Sequence, residues 1–500
     1  GLPAGFYSGP YGTASGTAVQ FTTGGTSSVN LGVNDPDNYC QDNPKVYTPV
    51  WTNGNPLGGG SAGTTCALFQ FNYNDNGATA NPIGTGPNAT CAAITSSVGA
   101  LYGVAYQKSS NAVFTSAVLR RHAGFGPLGV GGIYVTTNAN GTTPTTSSYI
   151  NLSNLGINLG ADPHTGLPIE KIQPNTDPNA FCLTGKLGMG DLDISDDGSK
   201  LYVVNLYEKK IHEITIGNPY VAGSSLTAAN IRTWSIPNPG CSNGEFVPWG
   251  LKFYRDKLYV GVTCTGETSG NIADLKGTIY ELIPSTGVFT NVISSTTFSM
   301  QYAWFTTWNC YFSNSGQPMI SDIEFDERGN MTIGIMDRVS LQWGRQNLPP
   351  NGGALVDGFA NGNIEKLCYN SATNRFTLED NGVVCGVTGA GQNNGQGPGG
   401  GEFYNDLGVL YPHEESAFGA LAILQGSGEV LWTAQDPINY WAGGVFHNKT
   451  ETGAQLATKY ELYQSVDPAT FGKAGGLGDI EVLCNLAPIE IGNRIWMDSD

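Results

Sequence analysis

The stretch Gly190-Asp-Leu-Asp-Ile-Ser-Asp-Asp-Gly-Ser-Lys-Leu-Tyr-Val-Val-Asn205, followed by Lys210-Ile-His-Glu-Ile-Thr-Ile216, decides how this chain of 500 residues is read. Apolar and polar residues alternate in short runs, and Asp196-Asp-Gly-Ser199 places turn-forming residues between the first two runs. Period-two alternation broken by Asp-Gly describes half-buried strands joined in an antiparallel hairpin. The third run extends the hairpin to a meander.

The same pattern recurs imperfectly. A second copy reads Trp249-Gly-Leu-Lys-Phe-Tyr254, Lys257-Leu-Tyr-Val-Gly-Val262 and Gly277-Thr-Ile-Tyr-Glu-Leu-Ile283. A third reads Ser321-Asp-Ile-Glu-Phe-Asp326, Asn330-Met-Thr-Ile-Gly-Ile335 and Gly362-Asn-Ile-Glu-Lys-Leu367. A fourth takes Gly419-Ala-Leu-Ala-Ile-Leu424, Gly428-Glu-Val-Leu-Trp-Thr433 and Lys459-Tyr-Glu-Leu-Tyr463 as its three strands. An earlier copy takes Leu101-Tyr-Gly-Val-Ala-Tyr106, Ala112-Val-Phe-Thr-Ser116 and Gly131-Gly-Ile-Tyr-Val135. Fourth strands are expected at Ile231–Ile236 and Arg375–Glu379. Repeated units of short strands point to an all-β fold, a β-propeller with long loop insertions, notably 139–187 and 386–412. Five copies are visible. A sixth closes if Cys66-Ala-Leu-Phe-Gln-Phe71 joins Gly478-Asp-Ile-Glu-Val-Leu483, one contribution from each end. Six blades are therefore expected, with five or seven as alternatives and a β-sandwich or β-helix as the competing architecture. The expected division is a Gly/Thr-rich arm or extra strands over 1–65, the propeller over 66–488 and a different module beginning at 489–500.

Composition narrows the function. The 23 Lys+Arg against 41 Asp+Glu give a net charge of −18, which excludes a general nucleic-acid binder and an anionic-membrane binder, since both need a positive face. Membrane insertion is not expected either, because no apolar run approaches the ~20 residues of a span. Gly accounts for 70 residues, about twice the usual ~7%. The ten cysteines form no CxxC, so an even set without metal spacing favours disulfides and an oxidising compartment over buried free thiols. Cys368 and Cys385 are the most local pair, placed to staple the turn around Thr373-Asn374. A chain that starts at Gly1 rather than Met fits a cleaved signal peptide, and the sequons at Asn88, Asn140, Asn151, Asn330 and Asn448 fit the same secreted setting weakly.

Chemistry-bearing residues are few. Gly-x-Ser-x-Gly occurs around Ser61 and Ser242, but neither has the strand-turn-helix context of a nucleophile elbow. The histidines His122, His164, His212, His413 and His447 form no spaced metal motif. His212 is expected on the polar face of its strand, and His413-Glu414-Glu415 reads either as a contributor to a cation site or as a solvated loop. Asp35-Pro-Asp37 and Asn72-Tyr-Asn-Asp-Asn-Gly77 resemble calcium loops without the Glu expected at the twelfth position. The recurring acids are more telling. Asp191, Asp193, Asp322, Glu324, Asp479 and Glu481 fall at the same place in three first-strand copies. Strands lining a propeller axis would bring these carboxylates together, to hold calcium through hard oxygen ligands or to raise one another's pKa. The alternative is that they satisfy neighbouring backbone N–H groups. Among aromatics, Trp304 and Trp308, with Trp343, Tyr440 and Trp441, form the candidate ligand-binding surface, with packing between blades as the competing explanation.

Two segments carry a family resemblance. Ile489-Glu-Ile-Gly-Asn-Arg-Ile-Trp-Met-Asp-Ser-Asp500 resembles the opening strand of the Sdr-type B-like repeat, a Cna-B-like immunoglobulin-fold module of bacterial surface proteins. Arg121-His-Ala-Gly-Phe-Gly-Pro-Leu-Gly129, Gly190-Asp-Leu-Asp193 and Gly478-Asp-Ile-Glu-Val-Leu-Cys484 are similar to the propeller-like regions that precede such repeats in large secreted bacterial proteins. The resemblance implies an extracellular head on a repeat stalk. The function expected is therefore non-catalytic adhesion or recognition of a surface glycan or protein. The alternatives are a structural subunit of an extracellular filament or layer that binds copies of itself, and a calcium-dependent propeller hydrolase or lyase.

Overall fold

The computed structural model describes residues 7–9, 32–34, 39–78, 89–302, 304–312, 315–408 and 415–487. Six small antiparallel sheets of four strands form a ring, a six-bladed β-propeller with almost no helix; the third blade carries a short fifth strand, Phe298–Ser299. Blade 1 is built from Leu101–Gln107, Ala112–Ala117, Gly132–Thr137 and Thr145–Asn151, and blade 2 from Met189–Ile194, Lys200–Asn205, Lys210–Thr215 and Ile231–Ser235. Blade 3 takes Phe246–Tyr254, Lys257–Cys264, Lys276–Ile283 and Val288–Asn291. Blade 4 takes Pro318–Phe325, Met331–Asp337, Asn363–Asn370 and Arg375–Leu378. Blade 5 takes Ala417–Leu424, Glu429–Gln435, Ala442–Lys449 and Gln455–Gln464. The expected six blades, their starts and both proposed fourth strands are observed. The third strand of blade 5 differs: Lys459–Tyr463 lies in the fourth strand, and Ala442–Lys449 precedes it. Two glycines and a polar end hide the alternation of Ala442-Gly-Gly-Val-Phe-His-Asn-Lys449.

Blade 6 closes the ring with both ends of the propeller. Its inner strand is Glu481–Leu483, and outside it lie Lys45–Pro49, Cys66–Asn72 and Thr90–Ile94. The strand Lys45–Pro49 falls within 1–65, the stretch expected to be an arm or extra strands, and it is an extra strand that belongs to blade 6, so the propeller begins before residue 66. Its five residues sit in Gly-, Asn- and Pro-rich surroundings, which mask so short an alternation. The module expected at 489–500 and the Asp35–Asp37 segment lie outside the described residues.

Packing between blades is aromatic. Tyr202 stacks on Phe253 across blades 2 and 3 at 5.3 Å, and Tyr254 stacks on Phe325 across blades 3 and 4 at 4.2 Å. Within blade 2 the Asp196–Ser199 turn forms as expected. Gly198 takes φ +69°, a left-handed value that glycine adopts without strain, and Asp197 Oδ1 accepts from the Ser199 N–H at 2.9 Å.

All ten cysteines are paired: Cys40–Cys484, Cys66–Cys91, Cys182–Cys310, Cys241–Cys264 and the expected Cys368–Cys385. Five disulfides imply an oxidising environment. Cys40–Cys484 locks the closing blade across a separation of 444 residues. Among the described residues no helix is long and apolar enough to cross a membrane.

Candidate functional site

The first strand of each blade lies at the axis, and five of these strands are bulged. Register slips occur between Leu101 and Val104, Met189 and Leu192, Pro248 and Leu251, Ile320 and Asp322, and Ala417 and Leu421. A bulge leaves backbone groups without a ladder partner. Glycine at the bulge lets the next blade come close: a Cβ at Gly103 would lie 2.5 Å from Leu192 N, and one at Gly250 would lie 2.6 Å from Asp322 N.

Three aspartates bond N–H groups along these inner strands, those at the bulges among them. Asp191 accepts from Leu192 N at 2.8 Å and from Leu251 N, one blade on, at 2.9 Å. Asp322 accepts from Ile323 N and from Leu421 N, both at 2.6 Å. Asp479 accepts from Ile480 N at 2.7 Å and from Val104 N at 2.9 Å. Each aspartate thus ties its own blade to the next, and the tie occurs in alternate blades, giving a threefold pattern inside a sixfold ring. All three are buried. Burial and mutual repulsion hold Asp191 and Asp479 well above the usual carboxylate range. Asp322 is pushed up to about 8 by burial and by Glu324, against the pull of its N–H donors.

Asp193, Glu324 and Glu481 stand two residues further along the same strands, so the strand period places them in a second layer on the same side. Asp193 accepts from Ile194 N at 2.7 Å and from Phe253 N at 2.5 Å. Lys252, from blade 3, donates to Glu324 at 2.6 Å. Burial opposes the Lys252 charge but is outweighed by Glu324, Asp193 and Glu481, which keep the ammonium protonated. Glu481 is pushed up to about 8 by burial, in spite of Lys252. This second layer floors a cavity of about 240 Å³ that opens on the face carrying the turns between first and second strands. All six acids expected at the axis are therefore brought together, in two layers of three.

Below the aspartate layer the axis is filled. Tyr102, on the inner strand of blade 1, donates its hydroxyl to the Ser321 carbonyl of blade 4, directly opposite, at 3.2 Å, and its ring meets Trp249 edge-on at 5.0 Å. Beyond it, buried Arg120, Arg121 and Arg338 bond the connections that emerge where the inner strands begin. Arg121 donates to the carbonyls of Gln342 and Leu348, and Arg338 donates to those of Thr184 and Cys182. The Arg120 guanidinium lies 3.4 Å over the Phe471 ring.

The aromatic set divides. Trp308 is fully buried, with its Nε1 donating to Pro318 O at 2.9 Å, and Trp343 is buried and stacked on Phe312 at 3.9 Å; both are packing residues. Trp304 (51% exposed) and Tyr440 (54% exposed) face solvent. Trp441 is half-buried beneath the Arg345 guanidinium. His212 is buried and bonded to the polar side chains of Thr233 and Asn205. His122 and His164 converge on Asp177: its Oδ2 accepts from His122 N and lies 2.7 Å from His164 Nδ1. His413 and Glu414 lie outside the described residues, whereas Glu415 is buried. Ser61 donates to Glu170, with no histidine partner among the described residues. Asn448, one of the sequons, is buried and bonded to Trp432, Asn405 and Gly453. The Asn72–Gly77 segment is a turn in which Asp75 accepts from Asn72 N. Sequence reasoning missed Lys252 and Tyr102, whose roles depend on which blades oppose each other.

No family model matches the chain. Three colossins of Dictyostelium discoideum are similar to it at 26% identity. The match to Colossin-B runs over 538 residues and covers 100% of this chain but 13% of Colossin-B. Colossin-D matches over 481 residues, 91% of this chain and 47% of its own length, and Colossin-A over 442 residues, 80% and 4%. The chain thus spans less than half the length of each. These relatives are eukaryotic and no Sdr-type repeat is matched, so the resemblance to bacterial surface proteins is not upheld. A dozen residues at the end of a chain are too few to carry a family assignment. Among solved structures, a Pseudomonas aeruginosa periplasmic gluconolactonase aligns at TM-score 0.42 and 11% identity, covering 89% of this chain and 100% of that one. A nidogen/laminin complex aligns at TM-score 0.40 and 10% identity, covering 87% and 97%.

Proposed function

We propose that this chain is an extracellular, non-catalytic recognition head that binds a surface glycan or a protein. The observation that carries the reading is the closed axis: the Asp191, Asp322 and Asp479 oxygens all bond backbone N–H groups, and Tyr102 blocks the channel beneath them. Groups held in this way join blades rather than meet a substrate. Ligand binding then falls to the connections on one face, both between blades and between the second and third strands of a blade. Leu57, Ile172, Trp304, Tyr311, Leu355 and Tyr440 are all exposed, and each lies in a connection that emerges where the inner strands begin. Exposed apolar side chains gathered on one face suit binding.

A glycan array together with a panel of extracellular proteins tests this. The expected result is a ligand whose binding weakens at least tenfold in Trp304→Ala or Tyr440→Ala and is unchanged in Glu481→Gln. A calcium-dependent hydrolase or lyase is the second reading, favoured by the open cavity over Asp193, Glu324, Glu481 and Lys252. Turnover of a lactone, ester or glycoside that disappears in Glu481→Gln would replace the first reading with the second.

A further inference from the structure

Away from the axis, five more acids meet where residues 379–408 and 415–416, in the connection between blades 4 and 5, lie against those blades. Glu365 comes from the third strand of blade 4, and Glu379, Glu402, Asp406 and Glu415 come from the connection itself. Residues 385–405 of the connection are firmly seated. Phe403 and Tyr404 pack into the apolar core that holds Ile364, Leu421 and Trp432, and the Tyr404 and Thr332 hydroxyls bond at 2.8 Å. Cys385 is tied to Cys368, and Asn405 N donates to Gly453 O. All five acids are buried: Glu365, Glu402 and Asp406 are 0% exposed, Glu379 2% and Glu415 6%.

The contrast with the axial aspartates is in their partners. Asn363, Lys366 N and Asn394 each donate to one oxygen of Glu365, Glu379 and Glu402. Among the described residues, Glu365 Oε2, Glu379 Oε2, Glu402 Oε1, Glu415 Oε2 and both Asp406 oxygens are buried with no hydrogen bond of good geometry, although the Tyr302 hydroxyl lies beside Glu365. Among the described residues no lysine, arginine or histidine forms a salt bridge with any of the five. Asp406 is the sharpest case, a fully buried carboxylate with neither oxygen hydrogen-bonded among the described residues. Oxygens of Glu402, Asp406 and Glu415 all lie within 4.8 Å of one another, about the span across one ion with metal–oxygen bonds of ~2.4 Å.

We propose that Glu402, Asp406 and Glu415 bind one calcium ion, with Glu365 and Glu379 adding negative charge beside it, and that the ion fastens the 379–416 connection to blades 4 and 5. The donors are hard oxygens without His or Cys, which disfavours zinc. A buried site that excludes water disfavours magnesium, which keeps several of its waters.

Calorimetric titration and native mass spectrometry of the EDTA-treated full chain at pH 7.5 test the assignment. One calcium per chain is expected, with a higher Tm and slower proteolysis within 379–416 in its presence. Glu402→Gln and Asp406→Asn should each weaken binding at least tenfold, whereas Asp191→Asn should not change it. Wild-type protein that takes up no calcium and shows no shift in Tm overturns the proposal. So does uptake that survives both Glu402→Gln and Asp406→Asn, or that is lost in Asp191→Asn. If neither 402 nor 406 variant folds, the wild-type titration and its proteolysis pattern decide. A magnesium response equal to that of calcium also counts against the site.

Discussion

The Tyr102 hydroxyl crosses the propeller axis and bonds the Ser321 carbonyl of the opposite blade at 3.2 Å, directly under three converging aspartates. Ring folds of this kind are held mainly by contacts between neighbouring blades. A bond across the diameter adds a fixed distance between blades 1 and 4 and fills the space a channel would occupy.

Removing only the hydroxyl leaves one carbonyl acceptor without its donor. Tyr102→Phe is therefore expected to cost about 1 kcal/mol. Tyr102→Ala also removes a fully buried ring packed on Trp249 and should cost about 3–5 kcal/mol. Urea unfolding of the two variants separates the contributions. Equal losses in both would mean that the ring contributes nothing and that the axis repacks.

The aspartate layer predicts a pH dependence. Asp322 is held at about 8 against an ordinary 3.8, so between those values the folded protein keeps a proton that the unfolded chain has released. Stability contributed below pH 4 is lost as pH rises toward 8, at up to about 1.4 kcal/mol per pH unit for each such group. Asp191, Asp479, Glu324, Lys252 and Tyr102 all act on this carboxyl or feel its charge. With EDTA present, Tm should fall from pH 5 to pH 8, and Asp322→Asn should flatten that fall. A Tm that rises over the same range would mean that the three carboxyls are already ionised in the folded protein, against this reading.

How far these features could be read from sequence depends on whether they repeat. Inner strands such as Gly190–Ser195 and Ser321–Asp326 recur with a Gly or Ser at the bulge and acids two apart, so blade number and axial acids were both legible. The amides they bond were not, because a bulge is a property of pairing rather than of composition. Lys45–Pro49 escaped notice because five residues are too short an alternation to stand out. The carboxylates at 365, 379, 402, 406 and 415 share no spacing, and only the path of one connection gathers them.

Cys40–Cys484 fastens the blade that both ends of the propeller build. By the chain-entropy relation, closing a loop of this length removes unfolded-state entropy worth roughly 6 kcal/mol, about twice that for a loop of 17 residues. Cys40→Ser with Cys484→Ser should therefore lower Tm more than Cys368→Ser with Cys385→Ser, which opens a separation of only 17 residues. Scanning calorimetry of the two double variants makes the comparison. The reverse order would mean that the ring stays closed through packing of the blade 6 strands alone.

The aromatic residues separate binding from stability. Trp308 and Trp343 are buried in packed positions, so Trp308→Ala and Trp343→Ala should each cost about 3–5 kcal/mol and weaken binding only through loss of folded protein. Trp304 and Tyr440 are about half exposed, so Trp304→Ala and Tyr440→Ala should stay within about 1 kcal/mol of wild type while losing ligand. Unfolding curves measured beside binding curves for the four variants distinguish the two behaviours. If Trp304→Ala and Tyr440→Ala bind as wild type does, the ligand surface lies elsewhere, and the acid-floored cavity above Lys252 becomes the place to look.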